Sequence, residues 1–265
     1  RLPAPDQPAV AIVGTRRVNA YGGLVAETLG RELAELGIAV ISGLAAGVDG
    51  AAHRGALRGG GYTAGVLGTG VDRVYPASHR ELAAQVQIDG GLLSEFALGA
   101  QPQARHFPQR NRIISGLAQV IVVVQAPARS GALNTARYAG EQGRDIMAVP
   151  GQITDGRHDG CHALIRDGAR LLRDVDDILE VLGVARDLTG ARPMLRQETA
   201  PATPPADLAP AEQAVLGALG LSPLGLDDLL ETVAFSTPEV QSALVTLEIA
   251  GLATRLPGGS YVRTT

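Results

Sequence analysis

The sequence of 265 residues contains no lysine, so all 23 of its basic residues are arginines. This absence excludes several classes of site from these residues. A Walker A loop needs a lysine on the nucleotide phosphates, and a protein kinase needs the lysine of its third strand. Enzymes that form a Schiff base need a lysine amine. Arginine side chains and main-chain amides are therefore the groups that this chain offers to an anion.

Cysteine and long apolar runs are also scarce. The single cysteine, Cys161, excludes a disulfide framework and a cysteine-rich zinc site within the chain. No apolar run approaches the length of a membrane span, and no signal-peptide pattern is present. We therefore expect a cytoplasmic protein without membrane contact. Apolar residues make up 45% of the chain, which is enough for one large core and a smaller second domain.

The net charge of −4 is distributed unevenly. Residues 208–265 hold two arginines and six acidic residues, whereas residues 1–207 hold 21 of each kind, so the whole excess lies in the last segment. No acidic residue occurs in residues 96–140, which contain five arginines, or in residues 7–26, which contain Arg16 and Arg17. These stretches should create local positive potential, which matters more for steering an anion than net charge does.

Short apolar runs alternate with helical patterns over the first 182 residues. The runs predict strands at Val10–Val13, Ile38–Ile41, Thr63–Leu67, Leu92–Ser94, Val120–Gln125, Ile146–Val149 and Ala169–Leu172. The helical patterns lie at Ala20–Glu35, Asp49–Leu57, Ser78–Val86, Ala132–Gln142 and Asp174–Leu182. Such alternation is typical of an open, doubly wound, mostly parallel α/β sheet.

The composition changes after residue 183. We expect a Rossmann-like domain at 1–183, a semi-rigid linker rich in Pro and Ala at 184–207, and a winged-helix domain at 208–265. Helical patterns in the last segment lie at Pro210–Leu219, Gly225–Thr232 and Thr237–Ala250. Two short strands around the turn at 257–259 then predict a hairpin, which completes the winged helix.

Glycines and arginines follow several of the predicted strands. They occupy residues 14–17, 42–47, 67–70, 105–112 and 129–132, which we place in loops at the carboxyl edge of the sheet. Ligands of open α/β sheets bind at that edge, where arginine and loop amides can hold phosphates. Ordinary turn chemistry would also explain the glycines, and a solvated turn with Phe107 in the core would also explain residues 105–112.

Few residues suggest metal or nucleophilic chemistry. His158, Cys161 and His162 are close in sequence, but no clear fourth ligand accompanies them, so we predict no metal site. Ser130 precedes Gly131 without the strand and the G-x-S-x-G frame of a hydrolase nucleophile. We therefore predict no catalytic residue in these two segments.

Four other polar residues could serve as acids or bases. Asp49 and His53 are four residues apart at the start of a predicted helix, where an ion pair or a helix cap is favoured over acid–base catalysis. Glu95 and Glu141 are isolated carboxylates, and either could be a general base. The sequence does not pair the two glutamates in space.

Eight motifs, in order and spacing from about Val10 to Leu182, resemble the DprA/Smf family (DNA processing protein A). They are Val13-Gly14-Thr15-Arg16; Ser42-Gly43-Leu44-Ala45 with Gly47, Asp49, Ala52 and His53; Gly68-Thr69-Gly70-Val71-Asp72 with Tyr75-Pro76; Ser94-Glu95-Phe96; Phe107-Pro108 with Arg110-Asn111-Arg112 and Ile113-Ile114-Ser115-Gly116-Leu117; Ser130-Gly131-Ala132-Leu133 with Thr135-Ala136; Glu141-Gln142-Gly143-Arg144; and Val149-Pro150-Gly151. Many members of the family carry a lysine directly after the Tyr-Pro pair, where this chain has Ala77.

The resemblance implies a fold and a function. It implies an extended Rossmann domain that binds single-stranded DNA as a homodimer, protects it, and helps to load the RecA recombinase during natural transformation. It implies no cofactor, no metal, no small-molecule substrate and no enzymatic activity. We place the dimer contact around Ile146–Leu172, where Ile146, Met147, Leu164 and Ile165 could leave apolar surface uncovered.

The resemblance also implies the residues of the DNA site. Gly14, Thr15 and Arg16 would hold one phosphate, and Ser42 and Gly43 would offer backbone donors. Arg110 and Arg112 would hold further phosphates, while Phe107 would be a platform for stacking a base. The remaining predicted site residues are Arg17, Arg105, Asn111, Arg129, Ser130 and Gly131.

A nucleotide-processing enzyme is the alternative function. A related Rossmann family that hydrolyses nucleoside monophosphates has a glycine-rich helix start, which residues 129–133 resemble loosely. That motif needs a glutamate one turn into the helix, and this chain has Ala136 and Arg137 there. We therefore favour a non-enzymatic DNA-binding mediator of recombination.

Overall fold

Seven strands form one parallel sheet in the first of the two units of the chain, residues 1–195. They are β1 (Ala9–Val13), β2 (Ala39–Ser42), β3 (Thr63–Val66), β4 (Gly91–Leu93), β5 (Val120–Val123), β6 (Asp145–Ala148) and β7 (Arg170–Leu171). All seven predicted strands are confirmed. The computed structural model describes residues 3–4, 6–184, 208–220, 224–255 and 260–263.

The order of the strands across the sheet is β4-β3-β2-β1-β5-β6-β7. The chain thus moves outward from β1 to β4 and then returns to place β5 on the other side of β1. The loops that follow β1 and β5 consequently lead away in opposite directions. In open α/β sheets a crevice forms at such a point, beyond the carboxyl ends of the strands.

Seven α-helices cover the two faces of this sheet. They are α1 (Ala20–Glu35), α2 (Val48–Arg58), α3 (Arg80–Asp89, after a 3-10 turn at Ala77–His79), α4 (His106–Gly116), α5 (Ala132–Glu141), α6 (Asp159–Arg166) and α7 (Val175–Leu182). Alternate residues of the strands face opposite sides, as the strand pleat requires. Val10 and Val122 pack with α1, α2 and α7, whereas Ala11 and Val123 pack with α4, α5 and α6. The predicted doubly wound α/β fold is confirmed.

Two of these helices, α4 and α6, were not predicted. Residues 105–112 do not form a loop, because α4 begins at His106 and runs through them. Pro108 lies in its first turn, where the missing N–H of a proline has no helical partner to lose. The positively charged segment is therefore a helix whose first turn lies at the crevice.

Glycines allow α1 and α2 to pack with their backbones in contact. A Cβ on Gly55 would overlap the carbonyl oxygen of Glu27, and a Cβ on Gly30 would overlap that of Ala52. The same closeness extends to the loops that precede the helices, since a Cβ on Gly47 would overlap the carbonyl oxygen of Thr15. The β1–α1 and β2–α2 loops therefore touch through their main chains.

The predicted dimer surface is mostly covered by its own domain. Met147 is buried in the core, while Ile146, Leu164 and Ile165 pack against the cluster that covers one face of the sheet. Met147 therefore leaves no apolar surface for a second subunit, whereas Ile146, Leu164 and Ile165 are only partly buried and each leaves some uncovered. The position of the dimer contact stays a prediction.

In the second unit, residues 196–265, the described residues form three helices and a hairpin. Its elements are α8 (Pro210–Ala218), α9 (Leu226–Thr232), α10 (Thr237–Ile249), β8 (Ala253–Arg255) and β9 (Tyr261–Arg263), and the two strands pair antiparallel. Val215, Leu229, Val240 and Leu244 meet in its core. The predicted winged helix is confirmed, whereas the predicted linker lies almost wholly outside the described residues.

No helix in the described parts of the chain is both long enough and apolar enough to cross a membrane.

Candidate nucleic-acid interface

A cleft of about 600 Å³ opens at the crevice beyond β1 and β5. It brings together nine of the fourteen predicted site residues, from three separate segments of the chain. These nine are Gly14, Thr15, Arg16, Phe107, Arg110, Asn111, Arg129, Ser130 and Gly131. The other five, Arg17, Ser42, Gly43, Arg105 and Arg112, do not line this cleft.

Gln125, two residues after the end of β5, fixes one wall of the cleft. Its main-chain oxygen accepts the N–H of Thr15 at 2.7 Å, and its side-chain oxygen accepts the N–H of Asn19 at 3.0 Å. Asn19 in turn caps α1 by accepting the N–H of Gly22 at 2.8 Å. Residues 14–17 are therefore held against the end of β5.

Several arginines around the cleft have exposed guanidinium groups. Arg16 and Arg129 line the cleft and are exposed, and Arg17 and Arg105 are exposed nearby in sequence. Among the described residues, none of these four has a carboxylate within 4 Å. A guanidinium in this state is available to a phosphate oxygen.

The ring of Phe107 is partly covered by its neighbours, so it is less accessible than the predicted platform for stacking a base. The guanidinium of Arg16 lies 4.8 Å from the centroid of its ring, and the ring of Tyr75 lies 5.6 Å away. A Cβ on Gly68 would come within 2.8 Å of the Phe107 ring, so the ring also packs on that loop. Tyr75 is 43% exposed and is the more accessible aromatic residue. The motif Tyr75-Pro76 was visible in the sequence, but nothing there gave the tyrosine a place in the cleft.

Arg110 does not reach outward as predicted. It is buried, and its guanidinium donates to the carbonyl oxygens of Gly43, at 2.7 Å, and Val66. Burial lowers the pKa of Arg110 to about 10, opposed by the charge of Asp49, so the side chain stays charged at neutral pH. Arg110 thus holds the floor of the cleft together and adds positive potential from below.

Ser42 and Gly43 do not offer the predicted backbone donors. The N–H of Gly43 donates to the carboxylate of Asp49 at 3.1 Å. Ser42 is buried within β2, where its hydroxyl donates to the carbonyl oxygen of Ile12 at 2.6 Å. Both residues shape the site from inside the fold, although Gly43 lines a small cavity of about 90 Å³ beside the cleft.

The remaining residues of α4 point to structural contacts at the rim. Arg112 forms an ion pair of 2.5 Å with Glu95, so its charge is already neutralised. Asn111 lines the cleft, and its side-chain amide donates to the carbonyl oxygen of Gly131 at 3.3 Å.

Glu141, the other isolated carboxylate, pairs with Arg137 at 2.5 Å. Neither glutamate lines the cleft.

Asp49 and His53 do not form the expected pair. Besides Gly43, Asp49 accepts the N–H of Ala45 at 3.4 Å, so it orders the loop before its own helix. Burial raises the pKa of Asp49, against the lowering effect of Arg110. His53 points elsewhere and contacts the hydroxyl of Thr63 at 2.7 Å.

The residues around Cys161 serve the core. Cys161 is buried, and burial raises the pKa of its thiol to about 11. His158 packs beside Tyr21, with 5.9 Å between ring centroids, and His162 contacts the carbonyl oxygen of Gly151 at 3.0 Å. No group of three or more metal-binding side chains occurs in the described part of the chain.

Comparison with known families identifies both units. Residues 1–183 match the model of the family described as DNA recombination-mediator protein A, and residues 199–259 match that of the DprA winged helix domain. The Smf protein of Synechocystis sp. is 36% identical over 97% of this chain and 70% of its own length.

Solved structures show the same relationship. The DNA processing protein A of Streptococcus pneumoniae is 45% identical with a TM-score of 0.62, over 66% of this chain and 61% of that one. The corresponding protein of Helicobacter pylori, studied for its single-stranded DNA binding mode, is 30% identical with a TM-score of 0.59, over 66% and 80% of the two chains. This chain thus spans about two thirds of the length of several of its relatives.

Proposed function

The chain belongs to the DprA/Smf family of DNA recombination-mediator proteins, and we propose that it binds single-stranded DNA in the cleft beyond β1 and β5. One observation carries the proposal. Arg16, which has no carboxylate within 4 Å among the described residues, lies over the ring of Phe107 at the carboxyl edge of the sheet. A phosphate-binding charge and an aromatic surface are thus adjacent, which is the combination that single strands require.

The cleft suits a flexible strand better than a duplex. Its positive charge comes from separate loops, at Arg16 and Arg129, with Arg110 below. A single strand can bend between such points and expose a base to Tyr75, the more accessible of the two aromatic residues. The helix that would enter the major groove in a winged helix, α10, carries no basic residue.

The family suggests what binding achieves. We propose that the protein protects the bound strand and helps to load the RecA recombinase during DNA processing in natural transformation, without catalysing a reaction itself. In support of a non-enzymatic role, Glu95 and Glu141 are both paired with arginines outside the cleft. Asp49 lines the cleft, but its carboxylate already accepts the N–H groups of Gly43 and Ala45.

We also propose a homodimer, as the resemblance implies, with its contact in the predicted stretch of residues 146–172. Strand β7 is an edge strand, and its Leu171 is 45% exposed. Ile153, between β6 and α6, is 83% exposed. These two are the most exposed large apolar side chains within the predicted stretch of 146–172, so we place the contact with a second subunit on them.

Fluorescence anisotropy with labelled oligonucleotides tests DNA binding. We expect tight binding to a single strand, weaker binding to the matching duplex, little dependence on base sequence, and a steep loss of affinity with salt, because counterions are released from the phosphates. The substitution Arg16→Ala should weaken binding by about 1–3 kcal/mol without unfolding the protein.

Arg58→Ala is the matched control. Arg58 is also an exposed arginine, but it ends α2 at the opposite edge of the sheet, where it pairs with Glu27. Its removal should leave affinity unchanged. Equal affinity of the wild type for duplex and single strand, or equal effects of the two substitutions, would contradict the proposed site.

A further inference from the structure

A second cavity, of about 500 Å³, adjoins the cleft. Its walls include Val74, Ala77 and Arg80, from the segment that leads into α3. It shares Tyr75 and Pro102 with the main cleft, so the two spaces meet at these side chains. A ligand that fills the cleft and is long enough to leave it on this side would pass over Tyr75.

Tyr75 is held in a fixed position between the two cavities. The centroid of its ring lies 5.6 Å from that of Phe107, whose own ring is packed on Gly68 and covered by Arg16. Tyr75 nevertheless stays 43% exposed. An aromatic ring that is supported from behind and open in front loses little freedom when a base stacks on it.

The second cavity carries a net positive charge. Arg80 is exposed in the first turn of α3, and no carboxylate lies within 4 Å of it in the described part of the chain. The one acid in the walls, Asp72, lies 3.8 Å from Arg73 and also accepts the N–H of Gly99 at 2.8 Å. Asp72 is thus offset by Arg73, which leaves the charge of Arg80 available.

We propose that the single strand continues from the cleft over Tyr75, which stacks on one of its bases, into the second cavity, where Arg80 contacts a phosphate. This inference rests on the proposed function, since it extends the path of the same strand. It assigns Tyr75 and Arg80 to DNA binding although neither was among the predicted site residues. It also gives the strand a path across the first unit, from Arg129 past Arg16 to Arg80.

Oligothymidylates of about 4 to 16 nucleotides test the path, because a short strand can occupy the cleft without reaching Arg80. Arg80→Ala should leave the affinity for the shortest bound oligonucleotide unchanged and should lower the affinity for long ones about 10-fold. The dependence of log K on log salt should become shallower by about 0.7 for long strands, because one phosphate contact is lost. An equal effect of Arg80→Ala at every length, or none at any length, would overturn the role given to Arg80.

A tryptophan tests the stacking step, since the natural chain contains none. In the variant Tyr75→Trp, the single indole should lose fluorescence when a long oligonucleotide binds, because a base stacks on it. The matched control is Tyr62→Trp, at a half-buried tyrosine before β3 on the opposite edge of the sheet, which should not respond. Unchanged fluorescence of Tyr75→Trp in a saturated complex would exclude stacking at this position.

Failure of this inference can be told apart from failure of the proposed function. If the wild type does not bind single strands, or Arg16→Ala binds as the wild type does, the cleft itself is not the site. If Arg16→Ala is weakened while Arg80→Ala and Tyr75→Trp show neither effect, the cleft binds DNA and the strand leaves it by another route.

Discussion

Asp49 and Arg110 hold opposite ends of the same residue, Gly43. The carboxylate of Asp49 accepts its N–H at 3.1 Å, and the guanidinium of Arg110 donates to its carbonyl oxygen at 2.7 Å. Both side chains are buried, so each of these charged hydrogen bonds is shielded from water. The pair fixes the loop after β2 at the floor of the cleft.

Replacement of Gly43 by alanine should therefore destabilise the protein. A Cβ at this position would lie 2.6 Å from the Asp49 carboxylate and 2.7 Å from the Arg110 guanidinium, and neither can retreat without breaking its bond to the loop. We expect Gly43→Ala to lower the free energy of unfolding in urea by about 1–3 kcal/mol.

Gly23→Ala is the control for that substitution. Gly23 lies in the first turn of α1, where an added Cβ would come no closer than 3.9 Å to a neighbouring side chain. Alanine favours a helix over glycine, so this variant should be unchanged or more stable by up to about 1 kcal/mol. Similar losses in both variants would show that Gly43 has no special packing.

His53 should make stability depend on pH. The hydroxyl of Thr63 donates to the carbonyl oxygen of Val40, so Nδ1 of His53 must donate to Thr63 and Nε2 carries no proton. Nε2 is buried and has no hydrogen-bond partner among the described residues. Burial, with a smaller effect of His79, lowers the pKa of His53 to about 3.

The folded and unfolded states differ in the pH at which His53 takes up a proton. The unfolded chain takes up a proton at His53 near pH 6.5 and the folded protein does not, so stability is lost as pH falls from about 6.5 toward about 3. The contribution of His53 approaches about 1.4 kcal/mol per pH unit within this window. Urea unfolding over a pH series should give a free energy of unfolding that falls as the pH falls in the wild type. In His53→Gln this dependence on pH should be weaker by the uptake of one proton. Identical slopes would show that His53 protonates normally in the fold.

The dimer should depend on the edge of the sheet at β7. Leu171→Glu places a charge on an exposed apolar position and should shift the protein toward the monomer, as measured by light scattering over a range of concentrations. Val245→Glu, at a 56% exposed position on α10, controls for the added charge and should leave the oligomeric state unchanged. A wild type that is monomeric at tens of micromolar would contradict the dimer altogether.

The winged-helix unit should not contribute to DNA binding. The sequence of α10 contains Glu239 and Glu248 and no basic residue, and its most exposed large apolar side chain is Ile249, at 83%. Residues 208–265 hold two arginines and six acids, so a polyanion would be repelled. A chain that ends near Arg186 should therefore bind single strands as tightly as the full chain or slightly more tightly.

The truncated chain must stay folded and keep its oligomeric state, which circular dichroism and light scattering establish. A large loss of affinity in a truncation that passes both checks would show that the second unit contacts DNA. An unchanged affinity would favour a role for the second unit in contacts with another protein, through a surface that includes the exposed Val245 and Ile249.

The sequence predicted those elements whose core face is apolar. Helix α1 was predicted with its observed limits because Val25, Leu29 and Leu33 recur at helical spacing and Gly37 follows its end. Helix α4 escaped prediction because two of the three long residues on its buried face, His106 and Arg110, are polar. Periodicity of apolar residues does not reveal a helix that buries charged groups.

The sequence predicted where in the fold the site lies, but only in part what each of its residues contacts. Alternating strands and helices predict a parallel sheet, so the loops after the strands could be placed at its carboxyl edge. The strand order that puts β1 beside β5 could not be predicted from this alternation. The burial of Arg110 could not be foreseen, because its partners Gly43 and Val66 are 67 and 44 residues away in the chain. For the same reason, the ion pair of Arg112 with Glu95 was hidden in the sequence.

The glycine contacts between α1 and α2 have a mechanical consequence. Gly30, Gly47 and Gly55 let the two helices and their leading loops touch backbone to backbone, which leaves no space for sliding or hinging between them. One wall and the floor of the cleft therefore behave as a single rigid body, already assembled before a ligand arrives. The entropic penalty of association then falls mainly on the strand, so affinity should change with the stiffness of the nucleic acid.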